Sequence, residues 1–208
     1  MRKIGFLGFD CTDVILYLAE LLSAFGKQVS IIDCGNGSTV CGDFDLPVNN
    51  GMAEGYRNDV YICRGLEVPH ETEYALYYFG SAMTHSKLCD CSDVVFVTDM
   101  VLTNAKKLSS AKITDDVSTI CVLRNFIPVK YGVSAVIQAA GQNIPEDRVF
   151  ALAHTETDYR AKCYIGTDFS VRYKYLSKEM RELLKNILIL WEPSLDGKEF
   201  MRLVKKIR

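Results

Sequence analysis

Several things are scarce in this 208-residue chain. Positive charge is not in surplus: 24 Lys and Arg stand against 26 Asp and Glu, a formal net charge of −2 with a pI near 5.9. Broad nucleic-acid binding leans on excess Lys and Arg, so that class is not expected. No apolar run approaches the roughly 20 residues that a membrane-spanning helix requires. The first apolar run begins within three residues of Met1, leaving no room for a secretory leader; a cytoplasmic protein is expected. Histidine is sparse, with His70, His85 and His154 scattered along the chain. No Ser/His/Asp or Cys/His spacing rises above chance. His154 follows a strand end, but a single histidine does not define a catalytic site. Internal repeats and low-complexity tracts are absent.

Cysteine is plentiful, at positions 11, 34, 41, 63, 89, 91, 121 and 163. In a chain of this size with an alternating strand and helix pattern, reduced thiols are expected rather than a disulfide frame. Cys63 and Cys121 lie inside apolar runs and read as small core residues. Cys89-Asp90-Cys91 has no second Cys or His pair to complete a metal site, and no metal is expected.

The stretch from Lys3 to Gly37 organises the rest. Lys3–Gly8 is a short apolar run that fits a buried strand. A polar turn follows at 9–13. Val14, Leu18, Leu21, Leu22 and Phe25 then recur on one helical stripe, and Gly26 stands where a helix C-terminus favours it. Val29–Ile32 is a second apolar strand running into Asp33. Such a unit implies two neighbouring parallel strands with a right-handed crossover between them. Ligands bind outside the carboxyl ends of strands in sheets of this kind. The turn at 9–13 and Asp33 both lie at that edge.

Further along, Cys34 to Gly55 is rich in Gly and Asn and reads as a long functional loop. Strands are expected at Asp59–Arg64, Glu73–Phe79, Asp93–Thr98, Val117–Leu123 and Arg148–Ala153. Helices are expected at Met83–Cys89, Leu102–Ala111, Val133–Ala140 and from Ser177, as N-cap, to Leu190. Trp191-Glu192-Pro193 breaks the pattern, and a last short helix covers Lys198–Ile207. From Asp158 to Leu176 the pattern is mixed. The alternation predicts an α/β fold, a mainly parallel sheet of about six to eight strands flanked by helices. One domain is expected over residues 1–190, with 191–208 as an appended segment.

The order of these pieces resembles the MinD/ParA family of deviant P-loop ATPases. Gly26-Lys-Gln-Val-Ser-Ile-Ile-Asp33 is similar to that family's "GKKVLLID" strand. Glu73–Ala82 (EYALYYFGSA) is similar to its "YDYIIIDFGS" strand, and Ser92–Leu108 to its "ADEVIVVTTPE" strand and following helix. Ser118–Phe126 (STICVLRNF) resembles the strand ending in an adenine-contacting Asn. The resemblance implies a P-loop NTPase-like topology and a nucleotide site at Gly8, Asp10, Cys11, Thr12, Asp33 and Asn125, holding ATP or ADP with Mg²⁺. It also implies departures. In a KGGxGKT loop, backbone N–H groups and lysines hold the phosphates. Here the final Lys falls on Cys11 and the Thr on Thr12, and the glycines before them are largely replaced by Phe9-Asp10. The strand-end Asp of the family falls on Tyr78. Carboxylates at a helix N-terminus favour capping and repel a triphosphate. Phosphoryl transfer depends on positioning and charge neutralisation, so no catalytic residue is assigned and ATP hydrolysis is not expected.

Structural roles stand beside these assignments: Asp10 or Thr12 as N-cap, Asp33 and Asn125 as turn residues. The leading expectation is a catalytically degenerate scaffold, localisation or regulatory factor that meets a protein partner or a second copy. The alternative is a nucleotide-binding switch or weak ATPase with a rebuilt loop. Pilus-assembly and secretion proteins of the TadZ/CpaE type are atypical members that the resemblance brings in. A third alternative is an unrelated Rossmann-like fold with another ligand at the same edge.

At the C-terminus, Phe200, Leu203, Val204 and Ile207 form an apolar stripe, while Arg202, Lys205 and Lys206 supply positive charge. This basic amphipathic helix fits either packing on the body or contact with an anionic membrane or a partner.

Overall fold

The structure is a computed structural model. It describes residues 1–35, 40, 48–49, 52–57, 59–64, 68–69, 71–168 and 173–207. Its centre is β1 (Arg2–Gly8), followed by α1 (Thr12–Ala24) and β2 (Val29–Asp33). These are the strand, helix and strand expected from the apolar pattern. β1 and β2 run parallel but are not neighbours. A later strand, β6 (Tyr74–Gly80), lies between them and pairs in parallel with both. Local pattern reports a crossover but not which later strand is inserted into the gap.

The remaining strands are β3 (Val48–Asn49), β4 (Met52–Arg57), β5 (Val60–Cys63), β7 (Asp93–Asp99), β8 (Ser118–Arg124) and β9 (Val149–Ala151). The sheet order is β3-β4-β5-β2-β6-β1-β7-β8-β9. Seven strands, from β5 to β9 in that order, are parallel to their neighbours. β3 and β4 add an antiparallel edge. That edge corrects the long-loop expectation for 34–55, where Val48–Asn49 and Met52–Arg57 pair as strands; positions 36–39, 41–47 and 50–51 lie outside the described residues.

Helices cover both faces, as a parallel sheet requires. On one face α1 packs with α4 (Glu156–Asp168), α5 (Lys178–Trp191) and α6 (Gly197–Lys206), around Ile4, Phe6, Leu18, Leu76 and Val95. On the other face α2 (Leu102–Leu108) and α3 (Gly132–Ala140) cover Leu7, Ala75, Phe79, Phe96 and Cys121. α4 was not expected, because the segment at 158–168 carries little apolar periodicity; Ala161 and Ile165 are its buried anchors. The helix expected at 83–89 is a 3₁₀ turn, Ser86–Asp90.

Two long-range ties fix the ends. Arg2 donates two hydrogen bonds of 2.8 Å to Asp93 and a third to the Trp191 carbonyl. That fork geometry holds the start of β1 to β7 and to the end of α5. Ser177 caps α5 through its hydroxyl, which accepts from the Met180 N–H at 3.0 Å, as expected. No disulfide joins the described cysteines, and no helix among the described residues is long and apolar enough to cross a membrane.

Candidate functional site

The carboxyl edge of the sheet is built around the short turn between β1 and α1. Gly8 sits at φ +112°, and a Cβ there would lie 1.9 Å from the Val97 carbonyl oxygen. Only glycine permits so close an approach to β7. The Phe9 N–H then donates to that carbonyl at 2.8 Å. Asp10 adopts φ +59°, a conformation that Asp and Asn tolerate better than most residues. Cys11 is fully buried at the N-cap position and makes no side-chain cap bond. Thr12 is the first helical residue, so neither it nor Asp10 caps the helix; the side chain that meets the first turn is Asp13, which accepts from the Val14 N–H.

Arg124, at the end of β8, reaches under the intervening β7 to this turn. It donates to both oxygens of Asp13, at 2.5 and 2.9 Å, and to the Asp10 carbonyl at 2.9 Å. The Asp13 side chain is 2% exposed and that of Arg124 11%. Burial opposes the Arg124 charge, but the adjacent Asp13 outweighs it and holds the guanidinium pKa above its ordinary value. Burial, reinforced by Asp13, pushes the Cys11 thiol up to about 12. Lys162 of α4 comes down on the Asp10 carboxylate as a direct ion pair. Directly after β8, Asn125 takes φ +51° and its Oδ1 lies 3.2 Å from His154 Nδ1.

Two cavities flank Phe9. The first, of about 210 Å³, is lined in part by Asp10, Arg124, Asn125, His154, Tyr159 and Lys162. The second, of about 220 Å³, is lined in part by Gly8, Asp10, Tyr78, Ser81, Asn104 and Lys107. Gly8, Asp10 and Asn125 therefore come together at one edge as the sequence suggested. Cys11, Thr12 and Asp33 do not line either cavity. Asp33 is buried at the end of β2 and accepts from the Gly35 N–H at 3.1 Å.

No protein-family model matches the chain, and no curated protein matches its sequence. Solved structures do match. A ParA family ATPase from Chlorobium tepidum TLS superposes with a TM-score of 0.59 at 11% identity, over 91% of this chain and 98% of that one. The MinC:MinD cell division protein complex of Aquifex aeolicus superposes with a TM-score of 0.56 at 9% identity, over 90% and 96% respectively. The chain has the MinD/ParA-like fold. At these identities the likeness establishes the architecture and leaves function to the site.

In a MinD/ParA-like fold the β1–α1 turn is where a triphosphate with Mg²⁺ would be held, and the residues here do not fit that group. The Phe9 amide is committed to Val97, so it is not presented to a ligand. Asp10 projects a carboxylate toward Lys162 where a phosphate would need a cation. Cys11 is neutral and buried. Near the end of β6, the Tyr78 side chain occupies the space between Gly35 and Gly80: a Cβ added at Gly35 would lie 2.7 Å from its ring, and one at Gly80 2.9 Å from its hydroxyl. That aromatic ring stands where the resemblance puts a strand-end Asp.

Sequence reasoning singled out Asp10 and Asn125 but not Arg124 or Lys162. The Arg124 signal was present: a lone Arg closing an apolar strand, with two carboxylates in the turn of a nearby strand. Lys162 left no signal, because the helix that carries it was not foreseen. At the C-terminus, Phe200 and Leu203 are 3% exposed and packed against the body, with the Phe200 ring edge-on to Tyr173. Val204 and Ile207 are partly buried beside them, and Arg202 and Lys205 face outward. The apolar stripe is thus taken up by the fold in this conformation; Lys206 lies in α6, and its side chain is outside the described residues.

Proposed function

We propose that this protein is a catalytically degenerate MinD/ParA-like factor that works through protein contacts, as a scaffold, localisation or regulatory component in the cytoplasm. The observation that carries this reading is the occupied turn at 8–13: its amide is bonded inward, its carboxylates are paired with Arg124 and Lys162, and no lysine stands on it. A phosphate-binding turn needs outward amides and positive charge. The MinD neighbour was solved in complex with MinC, which supports protein contact as a use for this architecture, with a second copy of the chain as the other partner to consider.

Isothermal titration with ATP and ADP in the presence of Mg²⁺, beside a phosphate-release assay, tests the reading. No heat of binding and no turnover are expected. A second reading, a nucleotide-binding switch without turnover, draws on the cavity beside Asn125 and His154; it requires saturable nucleotide binding that is lost in Asn125→Ala and unaccompanied by hydrolysis. Residues 191–208 are assigned a supporting role on the body of the 1–190 domain, with their outward charges Arg202 and Lys205 open to an anionic surface. Liposome flotation with and without 197–208 measures that contribution.

A further inference from the structure

Of the large apolar side chains that stand in the open, six follow the strands of one half of the sheet. Phe9 comes after β1 and is 52% exposed; Val101 comes after β7, Ile127, Val129 and Tyr131 after β8, and Tyr159 in α4 after β9. β1, β7, β8 and β9 are consecutive neighbours, so at about 5 Å per strand these residues share a surface on the order of 15 Å across. The Tyr131 hydroxyl donates to the Met100 carbonyl at 2.7 Å, which ties the loop after β8 to the turn carrying Val101. Clustered exposed apolar side chains of this size mark contact surfaces.

The exposed charge around them is positive on balance. Among the described residues here, Asp10, Asp13 and Glu156 are ion-paired with Lys162, Arg124 and Arg160, whereas Asp99, half-buried, and Asp158, buried, keep their charge and are held by neutral partners, Asn104 and the Val101 N–H for the first, Thr155 and the Ser177 N–H for the second. Lys106, Lys107 and Lys130 are exposed and form no ion pair among the described residues; Lys107 reaches only Asn104. In a chain with a net charge of −2, the open charge of this surface is positive. We propose that this surface docks an acidic segment of a partner protein, with apolar side chains of that segment seated in the two cavities beside Phe9. The proposal rests on the contact-based function above and names the partner's chemistry.

Charge complementarity selects the occupant. A second copy meeting the same surface across a two-fold axis would bring lysines toward lysines. A flat lipid surface has no use for the two recesses beside Phe9.

The test is selection of a random-sequence peptide library displayed on phage against the full chain, followed by fluorescence anisotropy with the enriched peptides. Enriched sequences are expected to combine Asp or Glu with aromatic or aliphatic anchors. Their affinity should fall about tenfold or more in a Lys106→Glu, Lys107→Glu, Lys130→Glu variant, and should weaken as salt rises. An Ile127→Ser, Val129→Ser variant, at exposed positions that folding does not need, should lose binding with an unchanged thermal melt. Basic or neutral enriched peptides, equal binding to the charge-reversed variant, or no enrichment would overturn the proposal. So would co-sedimentation of the chain with phosphatidylserine vesicles, or self-association in analytical ultracentrifugation, that disappears in Ile127→Ser, Val129→Ser. ATP turnover would instead overturn the contact-based function, a result read in a separate assay.

Discussion

Two strand widths apart, the turn at 8–13 and the loop at 125–131 divide the carboxyl edge between them. In the first, Cys11 is fully buried, Asp13 is paired with Arg124, and the Phe9 N–H is bonded to Val97. In the second, Ile127, Val129, Lys130 and Tyr131 all stand in solvent. The turn after β1 is tied into the body through its polar groups, and the neighbouring loop stands open. Interior charge pairs hold a structure in one arrangement, whereas exposed apolar groups cost stability little and offer a surface to others. The comparison teaches that the polar groups of the β1 turn are engaged inward, while Phe9 and the loop after β8 supply exposed apolar groups at this edge.

The largest effect expected from breaking this contrast is at Arg124. Arg124→Ala leaves the buried Asp13 carboxylate without its counter-ion, and loss of one partner of a buried pair costs about 3–5 kcal/mol. Urea denaturation followed by circular dichroism should show it. Adding Asp13→Leu to Arg124→Met should recover most of the loss, because replacing both members with apolar groups is near neutral. In the other loop Ile127→Ser should stay within about 0.5 kcal/mol of the parent. Equal effects at the two positions would erase the distinction drawn here.

A smaller effect comes from Cys11. Burial and Asp13 raise its folded-state pKa to about 12, from 9.0 in the absence of the fold. A raised acid contributes stability that is fully present below the unfolded pKa and is lost as pH rises toward the folded one. The unfolded chain releases the proton first, so the window runs from about pH 9 to about 12. By pH 10 the loss is on the order of 1–2 kcal/mol for one thiol. Cys91 and Cys121, also pushed up to about 12 by burial, add slopes of the same sign. The informative measurement is therefore the difference in urea midpoint against pH between the parent and Cys11→Ala, whose slope above pH 9 should be shallower. Cys11 should also resist alkylation at pH 8 while exposed Cys89 reacts.

What the sequence disclosed and what it withheld follow from the same physics. Strands buried on both faces are continuous apolar runs, so Val94–Val97 and Ile120–Leu123 were legible as they stand. The helix ending at Gly141 was legible because an αL terminus favours glycine, and Gly141 has φ +61°. The β3–β4 edge was not, because a strand at a sheet edge needs few apolar residues, and Met52–Arg57 sits among Gly and Asn. α4 escaped because it anchors through Ala161 and Ile165 with a lysine, a cysteine and a tyrosine between them. At the carboxyl edge, Asp10 and Asn125 lie where their chain positions put them. The Arg124–Asp13 pair spans 111 residues, and pairing at that distance is decided by the order of strands, which one sequence does not state. The same limit concealed the insertion of β6 between β1 and β2.

The smallest expected effect separates charge from shape as the reason for the proposed exclusion of nucleotide from the turn. Asp10→Asn removes the carboxylate that faces Lys162 and keeps a residue that tolerates φ +59°. The pair is partly exposed, with side-chain accessibilities of 29% and 32%, and such pairs contribute about 0–1 kcal/mol; stability should move by less than that. Lys162 is then left as an unpaired cation beside the cavity, so electrostatics alone would favour an anion. The inward bond from Phe9 to Val97, the tight approach of Gly8 to the same carbonyl and the Tyr78 ring are all retained in this variant. If shape excludes the triphosphate, titration of Asp10→Asn with ATP and Mg²⁺ gives no more heat than the parent. If the variant gains saturable binding, the turn remains a phosphate cradle held shut by one carboxylate, and the assignment of this edge to protein contact loses its main support.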